Sequence, residues 1–246
     1  MQRRYEVKKK TIYEILKRIF DVICSLLGII GTSPLWLFAV VGIEISDPGP
    51  VFYMARRVGK DNREFLMYKF RSMRVDKNAN EKSLRADTNR IFKFGRLLRR
   101  LKIDELPQLL NIVKGDMSIV GPRPASVDQF EIVRTGPNEV VAYVKPGLTG
   151  PSALYDYLYG DTIEDEAEYE EKVLPTRLEL DVYYVMRRNS FYDIKMIWWT
   201  IRCILNSARK ASSEDMLKEL ILCAEKNKEN KKHRISNAQD MEMSQT

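Results

Sequence analysis

The chain has 246 residues and a formal net charge of +7, with three cysteines and one histidine. Cys24, Cys203 and Cys223 are scattered, no CxxC occurs, and His233 lies in a polar tail; a disulfide framework, a Cys/His zinc site and a His-based triad are all disfavoured, and a reducing compartment is implied. Chemistry is left to carboxylates, Lys, Tyr and Ser, on a basic surface that suits anionic lipid, phosphorylated substrates or nucleic acid.

Residues 1–18 read as a basic, partly helical lead-in. Residues 19–45, IFDVICSLLGIIGTSPLWLFAVVGIEI, are charged only at Asp21 and Glu44. At ~1.5 Å per residue this run is long enough for ~30 Å of hydrocarbon. Ser33-Pro34 sits at its centre, where proline removes a backbone donor and bends a helix. Arg3, Arg4, Lys8, Lys9, Lys10, Lys17 and Arg18 precede or open the run, and Arg56, Arg57, Lys60 and Arg63 follow it. A crossing helix has Lys and Arg enriched on one side, and here neither side dominates. The pattern predicts a helix–break–helix that dips into one leaflet and returns, with a single bitopic anchor as the alternative. A cleaved signal peptide fits poorly, because the run starts late and no small-x-small site follows.

Asp47-Pro48-Gly49-Pro50 stops the helix. Residues 51–57 and 63–70 read as two strands joined by a hairpin loop at 59–62. Residues 74–90 are polar, a solvated loop or exposed helix. Residues 91–101 form an amphipathic helix, either lying at a membrane surface or packed on the core. A short helix over 104–114 follows, with Asp104 as candidate N-cap, Pro107 in the first turn and Gly115 at its end. Gly121-Pro122-Arg123-Pro124 and Lys145-Pro146-Gly147 read as rigid loops, and 164–172 is acidic. Residues 177–206 are helical, broken near Asn189-Ser190. Ser212-x-x-Asp215 resembles a capping box before Met216, Leu217, Leu220, Ile221 and Ala224, and the composition after Lys226 predicts disorder. No internal repeat is found. The expected fold is α+β, mostly α, with a small β-hairpin. Residues 1–46 form the lead-in and membrane element, 47–207 the catalytic domain, and 208–246 a helix and polar tail.

Asp104 and Glu105 carry the chemistry. Arg96, Arg99, Arg100 and Lys102 lie upstream, and Lys114 and Arg123 downstream. Adjacent helical residues point about 100° apart, so one carboxylate can face a phosphorus while the other holds a metal or tunes its neighbour. A carboxylate can attack phosphorus covalently. Mg²⁺ and arginines neutralise charge developing in such a transfer, and Mg²⁺ needs few carboxylates when phosphates and water complete its shell. The plain alternative is that Asp104 caps a helix and Glu105 favours its positive end.

This run, with Asp47-Pro48-Gly49-Pro50, Arg57-x-Gly59, Tyr68-Lys69-Phe70-Arg71-Ser72-Met73 and Pro146-Gly147-Leu148-Thr149-Gly150, resembles the bacterial sugar transferase family. These are the monotopic polyprenyl-phosphate phosphoglycosyl transferases, and the resemblance covers residues from about Lys17 to Leu205, in the minimal single-domain form. It implies a re-entrant membrane helix broken at Ser33-Pro34. It implies that Asp104 attacks the β-phosphate of a UDP-sugar, releasing UMP, and that polyprenyl (undecaprenyl) phosphate then takes the phosphosugar. Glu105, with Asp104, would hold Mg²⁺ or help activate the acceptor. Lys69, Arg71, Arg99, Arg123 and Lys145 would contact phosphates or nucleotide. The implied place is the bacterial cytoplasmic membrane, in contact with lipid, with the domain and both termini on the cytoplasmic side. The implied role is to begin a polysaccharide, capsule, O-antigen or other glycoconjugate. Departures from the family pattern are Lys102, where a small hydroxyl residue is usual, and Pro151-Ser152-Ala153 after Thr149-Gly150; these leave the sugar open, as is self-association. Two other classes are compatible with the basic composition. A non-catalytic scaffold would keep Asp104 only as a cap, and a nucleic-acid binder would give the apolar run no role and shows no recognition motif.

Overall fold

The computed structural model describes residues 10–75, 88–209 and 211–243. Helix α1 (Thr11–Gly31) and helix α2 (Ser33–Ser46) meet at 58°, and no single described helix is long and apolar enough to cross a membrane, while this bent pair is. Pro34 has no N–H to continue α1, and neighbouring hydroxyls satisfy the carbonyls left at the bend. Thr32 Oγ1 donates to the Gly28 carbonyl at 2.6 Å and Ser33 Oγ to that of Ile30 at 2.8 Å. Helix α1 is amphipathic in reverse of a soluble helix. Ile12, Ile15, Leu16, Ile19 and Ile23 are exposed, while Asp21 and Ser25 are buried against the protein, with Tyr13 and Lys17 partly so.

Strands β1 (Phe52–Val58) and β2 (Glu64–Phe70) form the expected hairpin, with Phe52 opposite Phe70 and Val58 opposite Glu64. Its turn places Asp61 and Asn62 at φ 55° and 57°, which short polar side chains tolerate. Next come α3 (Lys93–Arg100), α4 (Gln108–Lys114), β3 (Ser118–Val120), β4 (Ala125–Ser126), α5 (Phe130–Val133) and β5 (Gly147–Thr149). Helices α6 (Pro151–Leu158), α7 (Glu166–Lys172), α8 (Leu174–Arg187), α9 (Ser190–Arg209) and α10 (Glu214–Met243) complete the chain. The fold is mostly helical α+β. The break between α8 and α9 falls at Arg188 and Asn189, as expected.

The sheets exceed the expected hairpin. β4 pairs antiparallel with the free edge of β1, and β3 pairs parallel with β5, Ser118 opposite Gly147 and Val120 opposite Thr149. The segments that read as rigid loops flank these strands, 121–124 following β3 and 145–146 leading into β5, with only Gly147 inside a strand. A Cβ on Gly147 would lie 2.1 Å from the Gly121 nitrogen and 2.4 Å from the Thr149 carbonyl. Both are backbone atoms that cannot yield, so Gly147→Ala is expected to destabilise the protein by about 3 kcal/mol, read by denaturant unfolding.

The main core surrounds α8, where Leu180 and Tyr184 meet Leu154, Met196, Met216 and Leu220. A second cluster joins α2 to the site region through Ala39, Ile43, Phe70, Phe92, Leu98 and Ile103. A third, with Ala55, Met67, Leu109, Ile112 and Met117, fixes the hairpin to α4. The amphipathic segment 91–101 is thus packed inward on α2, with the Phe38 and Phe94 rings edge-on at 5.2 Å. Three expectations are corrected. After Lys226 the chain is helical to Met243, and Lys228, Glu229, Lys231, Lys232, Arg234, Gln239, Met241 and Glu242 are among the residue types that favour helix. Ser212 Oγ accepts from the Glu214 nitrogen at 3.3 Å, and Asp215 pairs with Arg202 at 2.7 Å instead of closing a capping box. Asp104 caps no helix. The basic residues of 1–9 and most of the polar stretch 74–90 lie outside the described residues.

Candidate active site

Between α3 and α4 the chain makes a tight 3₁₀ turn over Ile103–Glu105, entered from Lys102 at φ 56°. Pro107 explains why the expected helix over 104–114 is split. It cannot donate to the Ile103 carbonyl, which instead accepts from the Leu106 nitrogen at 3.1 Å, and α4 starts at Gln108. Gly115, at φ 101°, closes α4 as expected. Buried Ile103 anchors the turn in the α2 cluster and leaves the two carboxylates facing the other way.

The two acids have opposite surroundings. Asp104 is 6 % exposed, and its Oδ1 is buried with no hydrogen-bond partner. Burial raises its pKa and Glu105 adds to the rise, against the opposing charges of Lys69, Lys102 and Arg99. Burial would also raise Glu105, but Lys69, Lys102 and Arg123 outweigh it and hold that carboxyl well below the usual range. Lys69 Nζ donates to Glu105 Oε1 at 3.1 Å, and Lys102 Nζ lies 3.9 Å from the same oxygen. Such divergence of two neighbouring carboxyls is a mark of functional sites.

The support is built from backbone and buried amides. Asn111, fully buried on α4, accepts from the Tyr68 nitrogen at 2.9 Å and donates to the Leu66 carbonyl at 2.7 Å. It thereby fixes β2, and with it Lys69, against the helix that follows the dyad. Arg123 Nε pairs with Asp156 Oδ2 at 3.0 Å, and its backbone nitrogen donates to Asp181 Oδ1 at 3.0 Å. Tyr169 Oη donates to Asp156 at 2.6 Å, and Arg177 lies 3.8 Å from the same carboxylate. Lys102 stands over the Tyr157 ring, 4.6 Å from its centroid.

Lys69, Arg99 and Arg123 therefore gather with Asp104 and Glu105, and two expected residues do not. Arg71 is 5 % exposed, donates Nε to the Pro50 carbonyl at 2.5 Å, and pairs with Asp47 through both terminal nitrogens. It ties the 47–50 loop to the end of β2, and its buried guanidinium is engaged there and not at the dyad. Lys145 stands away from the dyad, among Arg18, Asp21, Lys60 and Asp116. The sequence reading gave no role to Asn111 or Asp156; a polar residue inside the apolar α4 stripe was the available sign for Asn111. Lys102, one of the cations upstream of the dyad and a departure from the family pattern, reaches Glu105 directly.

Among the described residues no group of three or more His, Cys, Asp or Glu could hold a metal. The dyad offers two carboxylates, one with an unsatisfied buried oxygen. That set fits a hard cation such as Mg²⁺ that takes its remaining ligands from substrate phosphate and water.

Comparison with known proteins bears on this geometry. The sequence model of the bacterial sugar transferases matches residues 12–207. The UDP-N-acetylgalactosamine-undecaprenyl-phosphate N-acetylgalactosaminephosphotransferase of Aeromonas hydrophila is 36% identical over 203 residues, covering 79% of this chain and 44% of that protein. The UDP-glucose:undecaprenyl-phosphate glucose-1-phosphate transferase of Xanthomonas campestris pv. campestris is 37% identical over 195 residues, covering 78% of this chain and 39% of that protein. The chain thus spans about two fifths of the length of these two relatives. The uncharacterized sugar transferase EpsL of Bacillus subtilis (strain 168) is 37% identical over 193 residues, which is 78% of this chain and 89% of that protein. With residues 12–207 matched and a relative covered over most of its length, the chain belongs to the bacterial sugar transferase family.

Proposed function

We propose that the protein transfers a sugar-1-phosphate from a UDP-sugar to polyprenyl phosphate, with Asp104 as nucleophile. The observation that carries this reading is the buried, unpartnered Asp104 Oδ1 beside Lys69, Arg99 and Lys102. An isolated carboxylate oxygen costs stability in a folded protein. Held among cations at a tight turn, it is a nucleophile with its counter-charges already in place. In the first step an Asp104 oxygen bonds to the β-phosphorus, the bond from that phosphorus to the oxygen bridging it to the α-phosphate breaks, and UMP leaves with that oxygen. In the second step an oxygen of polyprenyl phosphate bonds to the same phosphorus and the Asp104–phosphorus bond breaks, restoring the carboxylate. No proton is consumed overall. Lys69, Arg99, Lys102 and Arg123 bind the diphosphate, and Glu105 keeps Lys69 and Lys102 in place. Asp104 and Glu105 would hold Mg²⁺, which when bound supplies charge neutralisation for the diphosphate.

The same reading gives α1 and α2 a purpose. A polyprenyl chain stays in the bilayer and a nucleotide sugar stays in water, so the dyad belongs at their boundary. Ile103 packs with Ala39 and Ile43 of α2, which places the dyad turn directly on the apolar helix pair. A second exposed stripe on α9, formed by Phe191, Ile194, Trp198, Ile201 and Leu205, has the spacing of one helix face. We take α1 and α2 as a re-entrant element in the cytoplasmic leaflet of a bacterial membrane, with the catalytic domain on the cytoplasmic face. The relatives named above use different sugars, so the donor is left to experiment.

The test is UMP release by the full chain in nanodiscs, with Mg²⁺, undecaprenyl phosphate and a panel of UDP-sugars. One donor is expected to give turnover, EDTA to reduce it about 10²-fold, and added Mg²⁺ to restore it. With that donor and no acceptor, one equivalent of UMP per active site is expected as a burst. Turnover without such a burst would sink the covalent step, and silence across the whole panel would sink the transferase reading.

A further inference from the structure

A second cationic site lies on the inner face of α1, away from the dyad. A cavity of about 210 Å³ is lined by the polar side of α1 (Tyr13, Lys17, Arg18, Asp21), the hairpin turn (Lys60) and the residues before β5 (Tyr143, Lys145). Its volume is below the ~300 Å³ at which ligand pockets of drug size begin, so a nucleotide sugar does not fit.

The charges lining it do not balance. Lys17 pairs with Asp193 at 2.9 Å, and Arg188 with Glu14 at 3.1 Å. Arg18 donates to the carbonyls of Ile112 and Val113, at 2.5 and 2.9 Å, at the end of α4. Asp21 accepts from Ser118 Oγ at 2.7 Å and from the Ile119 nitrogen at 3.1 Å. Asp116, the nearby acid on the α4 side, accepts from Asn111 at 3.1 Å. Lys60 and Lys145 remain. Both are half-buried, and neither makes a side-chain hydrogen bond or ion pair with any described residue. Burial, then Arg18 and Lys60, disfavour the Lys145 proton and outweigh the opposing charges of Asp21 and Asp116. Two half-buried ammonium groups line one small cavity, and neither forms an ion pair with a described carboxylate, which is the chemistry that receives an anion.

We propose that this cavity binds a phosphate group between Lys60 and Lys145, at a site separate from Asp104 and Glu105. The chemistry is that of a phosphate anion or phosphodiester. The source is either the headgroup of an anionic phospholipid, whose chains would lie along the exposed apolar face of α1, or free phosphate from solution. The inference stands whether or not the transferase reading does, since it uses none of the dyad residues.

The test is thermal unfolding of the full chain in neutral detergent. Wild type, Lys60→Gln/Lys145→Gln, and the charge-matched control Lys172→Gln/Lys218→Gln, altered at exposed positions, are compared. Each receives inorganic phosphate, phosphatidylglycerol or phosphatidylcholine. At saturation the anion is expected to raise the melting temperature of wild type and control by about 5 °C and that of the double variant by less than about 1 °C. A shift with phosphatidylglycerol alone assigns a lipid headgroup, and a shift with inorganic phosphate assigns the free ion. Equal shifts in all three proteins, or none in any, would overturn the proposal. Lys60→Gln alone, a change at a hairpin turn, serves if the double variant does not fold, with phosphate affinity expected to fall about 10-fold.

Discussion

Asp104→Asn is expected to lower UMP release by at least about 10⁴-fold without lowering the melting temperature. The two halves of this result have one cause. The side chain is buried, its Oδ1 has no partner among the described residues, and burial chiefly holds its pKa above the ordinary value. The folded state therefore binds the Asp104 proton more tightly than the unfolded state does. Between the unfolded and folded pKa, stability falls as pH rises, and above both the full loss is in force. Asparagine of the same shape carries no charge, so it removes that loss together with the nucleophile. Glu105→Gln should differ. The Glu105 pKa is depressed, chiefly because Lys69 and Lys102 overcome its burial, so its stabilisation is present above the unfolded pKa and lost as pH falls through the folded one. Losing that charge leaves Lys69 without its 3.1 Å partner and is expected to cost about 2 kcal/mol. Activity in wild type should fall on the acid side at a higher pH than an ordinary aspartate would dictate, because the attacking form of Asp104 is the ionised one. A kcat/KM profile against pH, with melting curves of both variants, measures all of this. Retained UMP release in Asp104→Asn would remove it from the nucleophile's role.

Much of this was legible in the order of the residues. Alternating apolar positions either side of 59–62 fix the hairpin, because a register slip would turn Ala55 and Met67 outward. Gly115 and the Asn189-Ser190 break mark helix ends by their own backbone preferences. The dyad and its cations were readable as a motif. What a motif omits is the direction in which each side chain points. Arg71 follows Lys69 by two residues, but it lies beyond the end of β2, where the chain meets Pro50 and Asp47, and its donors go there. Lys145 precedes β5, which pairs parallel with β3, and its ammonium lies among Arg18, Asp21, Lys60 and Asp116 and not beside the dyad. Two three-residue strands flanked by Gly and Pro are too short to carry a periodicity from which that pairing could be inferred. The helical tail shows the opposite failure, where polar composition masked good intrinsic helix propensity.

Asp193→Ala is expected to be the most destabilising single change at the α1 interface, by about 3–5 kcal/mol, enough to lower the melting temperature by about 10 °C. Asp193 lies on the first turn of α9 and is 6 % exposed. One carboxylate accepts from Tyr13 Oη at 2.7 Å, Lys17 Nζ at 2.9 Å and Tyr184 Oη at 2.8 Å. Two of those donors are on α1 and the third is in the main core, on α8. Helix α2 is held to the domain by the apolar cluster around Ala39 and Ile43, but α1 turns most of its apolar side chains outward. The attachment of α1 rests largely on its inward polar face, and Asp193 is where that face meets the core. Alanine leaves the Lys17 ammonium and two hydroxyls without this acceptor in a largely dry interface. Lys17→Met added to Asp193→Ala should recover part of the loss, because the unpaired charge goes with it, so the double-mutant cycle should show coupling of at least about 1 kcal/mol. Hydrogen exchange separates local release from general weakening. Amides of residues 11–21 should exchange faster in Asp193→Ala by a larger factor than those of α8. If α1 exchanges no faster than the core, the helix pair is held by something other than this carboxylate. If it exchanges far faster while α8 keeps its protection, the core folds without α1 in place, and the polar clamp at Asp193 is what holds α1 on the domain.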